Sequence, residues 1–445
     1  MADDENPKHV IYGSAGMAAA GMIPGSATSR AKSEEQPVEG AANEEDASIA
    51  DEGSEDTQSE TGSEELEHPD PEPTEVAAPA FWGKYAVVIG HTGAGDFGDG
   101  LDRIFQRLDG VRLAALTDCN EETYEDTATN AAAPRGFSSY SAMLEREESA
   151  DLCCVAPSWT EQRFEMIQSA LNADCHVICG LPFTQTLKEA DELLKQGREK
   201  GRLIAVTDFF RCDPLLSRFH AGSEALIGDL LEMHVYGAMG NQAGGEDMIA
   251  NALPLFDLVR WFGGEPEFAS ATVSKQGYPA IPEDAHELKS RNLGRLLGDS
   301  IHAQFLLESG VRVTFTSDAQ MQNIAGRAGI RFVGKEATMR LYTNPEIEFS
   351  IQFESRPNQA ERSDPWTSWP AGTGRESAET ETAPNRDIVL DWISAIEEKR
   401  DPLCSAENAT KALEMAHAIW QSAITLKRAY FPLPNRLHPL ADESH

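Results

Sequence analysis

Residues 87–101 read VVIGHTGAGDFGDGL, and this segment indicates the fold class of the chain. Its first residues are apolar and β-branched, which predicts a buried strand that begins near Tyr85. Five glycines follow between positions 90 and 100. Apolar residues then recur at helical spacing: Leu101, Ile104, Phe105 and Leu108. The stretch therefore predicts a strand, a glycine-rich turn and a helix, in that order.

The same alternation of strands and helices continues to about residue 210. Apolar runs predict four further strands at 112–118, 151–157, 176–179 and 203–206. Thr186 and Glu189 form a capping box that begins one helix, and Gly201 ends it. Strands that alternate with helices at this rhythm predict a doubly wound parallel sheet, an α/β Rossmann domain over residues 81–210.

The pattern changes after the fifth strand. Longer alternating runs predict strands, and turns at Ser309-Gly310 and at 334–336 predict two hairpins. Helical patterns occur at 253–263, 386–399 and 406–428. Residues 211–440 are therefore predicted to form an α+β domain with a large open, mainly antiparallel sheet and a long loop at 355–384.

Acidic side chains dominate residues 1–80, which hold 20 carboxylates and 3 basic groups. Large apolar side chains are scarce between positions 34 and 75, which predicts an acidic disordered tail. Residues 12–27 have the length of an export-signal core, but acidic rather than basic residues precede them. The segment resembles a degenerate signal, and the sequence favours a cytoplasmic protein.

The overall charge bears on partners. The chain of 445 residues carries a formal net charge of -37. Nucleic acids and anionic membranes require basic contacts, so neither is a predicted partner. No apolar run is long enough to predict a membrane span.

The seven cysteines are odd in number and irregular in spacing, which does not indicate a disulfide framework. Cys175, His176 and Cys179 raise the question of a metal site. In a strand, however, the two cysteines share one face and the histidine lies on the other. We therefore predict no metal site, and a reducing compartment fits best.

The glycine turn has the context of a dinucleotide-binding fingerprint. The pattern G-x-G-x-x-G is matched by Gly93, Ala94, Gly95, Asp96, Phe97 and Gly98, and Gly90 extends the glycine run. Asp118 ends the second strand, 20 residues beyond Gly98, where a carboxylate holds ribose hydroxyls and repels a 2′-phosphate. The sequence therefore predicts NAD binding, with NADP disfavoured. Asp96 and Asp99 oppose this, because a diphosphate would meet both charges unless they point away.

Six motifs together resemble a known family. They are VIGHTGAGDFGDGLD (88–102), PSWTEQ (157–162), HVICGLPFTQTLKEADEL (176–193), RCDP (211–214), GGEDMIANALPLFDLVRWF (244–262) and NRLHPL (435–440). In this order and spacing they are similar to the glucose–fructose oxidoreductase, inositol dehydrogenase and rhizopine catabolism family, Gfo/Idh/MocA. The resemblance covers roughly residues 83–440.

The resemblance implies a Rossmann domain and an α/β domain whose open sheet faces the nicotinamide. It implies NAD(P)-linked oxidation or reduction of a carbohydrate-like small molecule, such as a sugar, cyclitol or related polyol. It also implies homo-oligomers packed through the C-terminal sheet. Cofactor contacts are expected from Pro157, Trp159 and Pro182, which lie in the matching motifs.

The chain departs from the family at both catalytic elements. Members usually carry Glu-Lys-Pro after the fourth strand, where this chain has Gly180, Leu181 and Pro182. The usual Asp and His of the second element fall on Ala250 and Pro254. Hydride transfer from an alcohol needs a group that takes the hydroxyl proton, and neither leucine nor proline can do so.

Two interpretations therefore stay open. In the first, the protein is an NAD-dependent oxidoreductase with a relocated acid or base, for which Glu246 and Asp247 are the candidates. Asp257, His234 and His302 are further candidates, although structural roles fit them better. In the second, the protein is catalytically inactive and binds a nucleotide or carbohydrate with the retained fold.

Overall fold

The structure is a computed structural model. It describes residues 83–91, 100–106, 108–120, 122, 124–239, 243–287, 293–319, 328–343, 348–353, 366–369 and 383–441. The predicted acidic tail, the signal-like segment 12–27, most of the loop 355–384 and the centre of the glycine turn lie outside these residues. Predictions about them stay predictions.

A six-stranded parallel sheet forms the first half of the described chain. Its strands are β1 (Lys84–His91), β2 (Val111–Asp118), β3 (Gly136–Phe137), β4 (Leu152–Val155), β5 (His176–Cys179) and β6 (Ile204–Val206). The order across the sheet is β3-β2-β1-β4-β5-β6, and all neighbours run parallel. The central strands β4 and β5 are buried throughout, as expected for a sheet covered on both faces. The predicted doubly wound sheet is confirmed.

Helices connect these strands. They are α1 (Tyr124–Asn130), α2 (Tyr140–Arg146), α3 (Thr160–Asn172) and α4 (Leu187–Lys200). The predicted capping box of α4 is present: Thr186 Oγ1 accepts from the Glu189 amide at 3.1 Å, and Glu189 Oε2 accepts from the Thr186 amide at 3.0 Å. Gly201 ends the helix in the left-handed region, with φ of 64°.

The predicted helix after the glycine turn is wrong. Among the described residues after Gly100, a short 3₁₀ turn, Leu101–Arg103, takes its place. The four apolar residues that suggested a helix are nevertheless buried against the sheet. The main-chain hydrogen bonds here join residues three apart, because the amides of Arg103, Ile104 and Gln106 donate to the carbonyls of Gly100, Leu101 and Arg103. This spacing gives 3₁₀ rather than α turns. Burial therefore follows the apolar pattern although the α-helix does not form.

A ten-stranded mixed sheet forms the second half. Its strands are β7 (Leu230–Met239), β8 (Pro266–Lys275), β9 (Tyr278–Pro279), β12 (Ser300–Leu307), β13 (Arg312–Asp318), β14 (Gly329–Gly334), β15 (Ala337–Tyr342), β16 (Glu348–Phe353), β17 (Thr367–Ser368) and β18 (Ala429–Tyr430). A separate pair is formed by β10 (His286–Glu287) and β11 (Arg295–Leu296). Only β7 and β13 run parallel, and the hairpins β12–β13 and β14–β15 confirm both predicted turns.

Further helices follow in the chain. They are α5 (Pro214–Ile227), α6 (Gly245–Ala250), α7 (Leu253–Gly263), α8 (Ala383–Glu398) and α9 (Ala406–Thr425). Of these, α5, α6, α7 and α9 contact strands of this sheet. The helices α5 and α6 were not predicted. Helix α9 packs against β8 and α7 and also against α4 and β6, so it joins both halves. Among the helices of the described residues, none combines the length and apolarity needed to cross a bilayer.

One face of the mixed sheet is open. On β12, Ile301, Ala303 and Phe305 are buried, whereas His302 and Gln304 between them are exposed. This alternation is the period of two expected when one face packs against helices and the other meets solvent. The predicted packing of a second copy on this face stays a prediction.

Candidate functional site

The carboxyl ends of β1, β2, β4 and β5 meet along one edge of the parallel sheet. In open α/β sheets, ligands bind outside this edge. The predicted cofactor residues Gly90, Asp118, Pro157 and Pro182 all lie on it or in the loops that leave it. The structure therefore brings together the predicted cofactor residues that it describes.

Asp118 is held in a fixed orientation at the end of β2. Its Oδ1 accepts from the Asn120 amide at 3.1 Å, and its Oδ2 accepts from Thr127 Oγ1 at 2.8 Å. The residue is 5% exposed. Two hydrogen bonds, one to each oxygen, fix the direction of a carboxylate. The predicted ribose-binding group is therefore oriented by the protein itself.

Gly90 ends the buried part of β1. Its amide donates to Thr117 Oγ1 at 3.1 Å, which ties the strand ends of β1 and β2 together. The residues Gly93, Ala94, Gly95, Phe97 and Gly98, together with the acids Asp96 and Asp99, lie outside the described residues. Their part in phosphate binding stays a prediction.

Arg163 joins the loops that follow β4 and β5. Its Nη2 donates to the Pro157 carbonyl at 2.7 Å, its Nη1 donates to the Gly180 carbonyl at 3.0 Å, and Nη1 also donates to the Pro182 carbonyl. The side chain is 1% exposed, and this burial lowers its pKa from the ordinary value. Both loops of the predicted nicotinamide pocket therefore depend on one buried guanidinium.

Sequence reasoning missed Arg163, although a signal was present. The residue lies on the same face of α3 as Ile167 and Ala170, both fully buried. A charged residue on the apolar face of a helix near a ligand cleft indicates a buried polar role.

A second contact ties the same loops. Gln185 Nε2 donates to Thr160 Oγ1 at 2.8 Å, which links the chain after β5 to the start of α3. The predicted cofactor residue Trp159 precedes α3, is half-buried, and donates from Nε1 to Glu161 Oε2 at 3.3 Å. Trp159 therefore lies in the loop between β4 and α3, at the edge where the strands end, and its contact with the cofactor stays a prediction.

The bare strand end after β5 carries no side chain that can transfer a proton. Leu181 is half-buried against the hydrophobic core, and a cis peptide bond links it to Pro182. A Cβ atom on Gly180 would lie 3.3 Å from Leu101 Cδ1 and 3.8 Å from Thr207 Oγ1. The space at Gly180 is thus limited by Leu101, and the polar atom nearest to it belongs to Thr207.

The second element is equally apolar. Pro254 lies buried in the first turn of α7, and Ala250 ends α6. Neither side chain can accept or donate a proton. The positions at which the resemblance implies an acid–base pair are therefore occupied by inert groups in both elements.

Asp247, one of the two predicted replacements, is completely buried. Its Oδ2 accepts from Ser317 Oγ at 2.8 Å and its Oδ1 accepts from Asn251 Nδ2 at 3.1 Å. Gly237 provides the room, because a Cβ there would lie 2.1 Å from Asp247 Oδ2. The carboxylate anchors α6 to β13. Glu246, the other candidate, is half-buried on the first turn of α6.

Asp208 is an acidic residue at the ligand edge that sequence reasoning missed. It follows β6, is exposed, and has φ of 68°. A positive φ in a residue other than glycine is often found at functional sites. Thr207 Oγ1 donates to its Oδ2 at 3.0 Å. The same hydroxyl oxygen would lie 3.8 Å from a Cβ atom on Gly180, so Thr207 lies close to both Asp208 and Gly180. The signal in the sequence was an Asp directly after a buried strand.

Asp257 has a structural role. Arg211 donates to both of its oxygens, at 2.7 and 2.8 Å, and Arg260 Nη1 lies 3.2 Å away. The carboxylate is fully buried. This network connects the chain after β6 to α7 and so joins the two sheets.

The other candidates also make local contacts. His234 Nδ1 lies 2.9 Å from Thr314 Oγ1, and His302 Nε2 lies 3.7 Å from Asp318 Oδ2 on the open sheet face. Cys175, His176 and Cys179 contact different main-chain atoms: the carbonyls of Ala150 and Ala205 accept from the thiols, and the Leu203 amide donates to His176 Nδ1. These three residues do not form one ligand set.

A parallel sheet with an oriented acid at the end of its second strand, followed by a mixed open sheet, is typical of two-domain dinucleotide-binding proteins. Family models match both halves. Residues 85–208 match the "Oxidoreductase family, NAD-binding Rossmann fold", and residues 235–428 match the "Oxidoreductase family, C-terminal alpha/beta domain". The chain belongs to the Gfo/Idh/MocA family of oxidoreductases, and its first half is an NAD-binding Rossmann domain.

A distant relative is an uncharacterised oxidoreductase, YfiI, of Bacillus subtilis (strain 168). The two are 24% identical over 265 residues, a match that spans 55% of this chain and 66% of the relative. The match therefore covers just under two thirds of that protein's length.

Solved structures share the fold. An oxidoreductase from Agrobacterium radiobacter in complex with NAD+, L-tartaric acid and magnesium has a TM-score of 0.60 at 14% identity, covering 78% of this chain and 98% of that one. Levoglucosan dehydrogenase in complex with NADH and L-sorbose has a TM-score of 0.61 at 16% identity, covering 78% of this chain and 99% of that one. The WlbA dehydrogenase of Bordetella pertussis in complex with NADH and UDP-GlcNAcA has a TM-score of 0.57 at 17% identity, covering 79% of this chain and 99% of that one.

Proposed function

We propose that this protein is an NAD(H)-dependent oxidoreductase that acts on a small polyhydroxylated, sugar-like molecule. The observation that carries the proposal is Asp118, a carboxylate oriented by Thr127 and Asn120 at the ribose position of an NAD-binding fold. A carboxylate there attracts ribose hydroxyls and repels a 2′-phosphate, which favours NAD(H) over NADP(H). The solved relatives with NADH and L-sorbose or UDP-GlcNAcA support the substrate class.

The reaction divides between the cofactor and the chain. Bound NAD+ supplies the acceptor for the hydride that leaves the substrate carbon. The proton of the substrate hydroxyl must pass to a base on the protein, and such a base contributes a factor of about 10²–10⁴ in rate. Leu181 and Pro254 cannot provide it.

We assign this base to Asp208. Its carboxylate is exposed at the ligand edge, and Thr207 places it beside the strand end that has lost the usual acid–base residues. Glu246 is a weaker candidate, and the burial of Asp247 leaves that carboxylate without access to a ligand.

A second function has its own support. Replacement of the usual polar groups at Gly180, Leu181, Ala250 and Pro254 favours a non-catalytic protein that binds NAD(H) or a carbohydrate. Both functions allow NAD(H) binding, and they differ in turnover, so one experiment measures cofactor binding and a second measures turnover.

The first experiment is titration of the full chain with NAD(H) and NADP(H), followed by calorimetry and by tryptophan fluorescence from Trp159. We expect NAD(H) to bind more tightly than NADP(H). The variant Asp118→Ala should weaken NADH binding by about tenfold or more, because it removes the hydrogen bonds to ribose. Absence of binding for both cofactors would overturn the proposal.

The second experiment screens polyols and sugars for NADH formation. The variant Asp208→Asn should lower turnover by a factor of about 10²–10⁴ with unchanged NADH affinity. Asp109→Asn is the matched control, because Asp109 is exposed in the turn before β2, at the opposite edge of the sheet. Turnover that survives Asp208→Asn would exclude Asp208, and NADH binding without any turnover would favour the non-catalytic function.

A further inference from the structure

Three metal-ligating side chains meet where β1 and β2 end. His91 pairs with Asp118 in the parallel register, and the Cys119 amide donates to the His91 carbonyl at 2.9 Å. We call these residues the His91–Asp118–Cys119 cluster. The main-chain contacts fix the spacing of the three side chains, so their approach follows from the register of two buried strands.

The ligand atoms of the cluster are close together. His91 Nδ1 lies 3.3 Å from Cys119 Sγ and 3.9 Å from Asp118 Oδ1. All three ligand atoms lie within 4.8 Å of one another. One imidazole nitrogen therefore faces both the thiol and the carboxylate, and the imidazole is 31% exposed, which leaves a route from solvent.

We propose that the His91–Asp118–Cys119 cluster is a binding site for Zn²⁺. This replaces the sequence-based prediction of no metal site, because His91 and Cys119 are 28 residues apart in the chain and their approach was not evident there. Zinc bonds of about 2.0–2.3 Å in a tetrahedral arrangement place neighbouring ligand atoms roughly 3.3–3.8 Å apart. The observed separations require only small side-chain movements to reach this range. Nitrogen, sulfur and carboxylate ligands favour zinc over Mg²⁺ or Ca²⁺, which prefer oxygen ligands alone.

The surroundings of Asp118 suit a metal ligand. Thr127 donates to Oδ2 and so fixes the plane of the carboxylate, while Oδ1 is the oxygen nearest to His91. Outer contacts of this kind orient metal-binding carboxylates in known sites. Oδ1 also accepts from the Asn120 amide at 3.1 Å, which holds this oxygen in a fixed direction.

The site has a consequence for the cofactor, which rests on the proposed function. Asp118 is the carboxylate proposed to bind the ribose, and a zinc ion at Oδ1 would neutralise and occupy it. Zn²⁺ and NAD(H) should therefore exclude each other. The cluster would make the oxidoreductase sensitive to inhibition by zinc.

The first test is titration of the full chain with ZnCl₂ by calorimetry and with CoCl₂ by absorption spectroscopy. We expect one high-affinity equivalent and a cobalt–thiolate absorption band. Cys119→Ser should abolish the band, and Cys119→Ser and His91→Gln should each weaken zinc binding by about tenfold or more. Cys212→Ser is the matched control, because Cys212 is a half-buried free thiol outside the cluster, and it should leave both signals unchanged.

Two outcomes would overturn the site. One is the absence of zinc binding to a chain whose circular dichroism shows it to be folded. The other is zinc binding that persists unchanged in both variants, which would indicate adventitious binding elsewhere.

The second test adds NADH to the zinc titration. We expect each ligand to raise the apparent Kd of the other in proportion to its concentration. Zinc binding that NADH does not weaken would support the metal site but would overturn the inference that Zn²⁺ and NAD(H) both require Asp118. NADH binding that fails in the absence of zinc would instead count against the proposed function.

Discussion

The Nη1 atom of Arg163 lies 3.0 Å from the carbonyl oxygen of Gly180, inside the protein. The strand end that lacks polar side chains is thus held through its main chain. The same guanidinium reaches Pro157 and Pro182, so a single side chain fixes both loops of the predicted nicotinamide pocket. The loss of polar side chains at this strand end has therefore not left the loop without support.

The variant Arg163→Met tests this arrangement. It preserves much of the buried volume but leaves three carbonyl groups without their donor, and each unsatisfied buried group costs about 1–3 kcal/mol. We expect the free energy of unfolding to fall by about 3 kcal/mol or more in urea denaturation, and NADH affinity to fall with it. Arg198→Met, at an exposed position of α4, is the control. Equal stability of the two variants would contradict the assignment.

A second prediction concerns the two catalytic elements. Leu181→Lys alone should leave polyol turnover at the wild-type level, because Pro254 supplies no partner in the second element. The measurement is NADH formation across the same substrate screen. A gain of turnover in this single variant would show that the second element is dispensable, and would contradict the argument that both losses matter.

Much of the fold could be predicted because its signals are local. The strands β1, β2, β4, β5 and β6 follow from apolar runs, and the capping box at Thr186 and the hairpin turn at Ser309 follow from turn and cap chemistry. These interactions involve residues near each other in sequence, which is why the pattern reveals them.

The site could be predicted only in part, because its support is long-range. Asp118 could be predicted from its spacing to the glycine turn. Arg163 instead donates to main-chain carbonyls 17 and 19 residues away. Because every residue has a carbonyl group, the sequence does not reveal which ones a buried arginine will contact. The partner of Asp247, Ser317, is 70 residues distant, so the burial of that carboxylate was not evident. The predicted helix after the glycine turn was wrong because the main-chain hydrogen bonds there join residues three apart, which apolar periodicity does not reveal.

The buried ion network at Asp257 gives a third prediction. Asp257→Asn should lower the free energy of unfolding by about 3–5 kcal/mol, because it leaves Arg211 and Arg260 without their buried counter-charge. Denaturant unfolding measures this change. Asp401→Asn, at an exposed position, should change stability little. Arg260 also pairs with Glu265, at 2.8 Å. A loss in Asp257→Asn no larger than that of the control would mean that Glu265 suffices for Arg260 and that solvent suffices for Arg211.

A fourth prediction concerns acid stability and begins with His438. Its imidazole packs beside His417 and Trp420, with ring centroids 5.0 and 5.6 Å away. Burial, followed by the charge of Arg295, lowers the pKa of His438 from 6.5 to about 4. Burial also lowers the pKa of His417 well below its ordinary value. Both rings are therefore neutral in the folded protein at neutral pH.

The direction of the effect follows from proton linkage. Between pH 6.5 and about 4 the unfolded chain binds a proton at His438 that the folded chain does not, so acid favours unfolding. Stability is fully present above pH 6.5 and falls as the pH decreases toward 4. The shift corresponds to about 3 kcal/mol, of which about 2 kcal/mol should be lost by pH 5.

Urea unfolding at pH 7.5 and pH 5 measures this loss in the wild type and in His438→Gln. The variant should lose less stability on acidification, because glutamine does not titrate, and its amide oxygen can accept the bond that the Leu440 amide now donates to Nδ1. Two other histidines should keep part of the slope, because burial also lowers the pKa of His176, to about 4, and the pKa of His417. His286→Gln, which removes an exposed imidazole, is the control. A pH dependence in His438→Gln as steep as that of the wild type would show that solvent reaches this ring in the folded state.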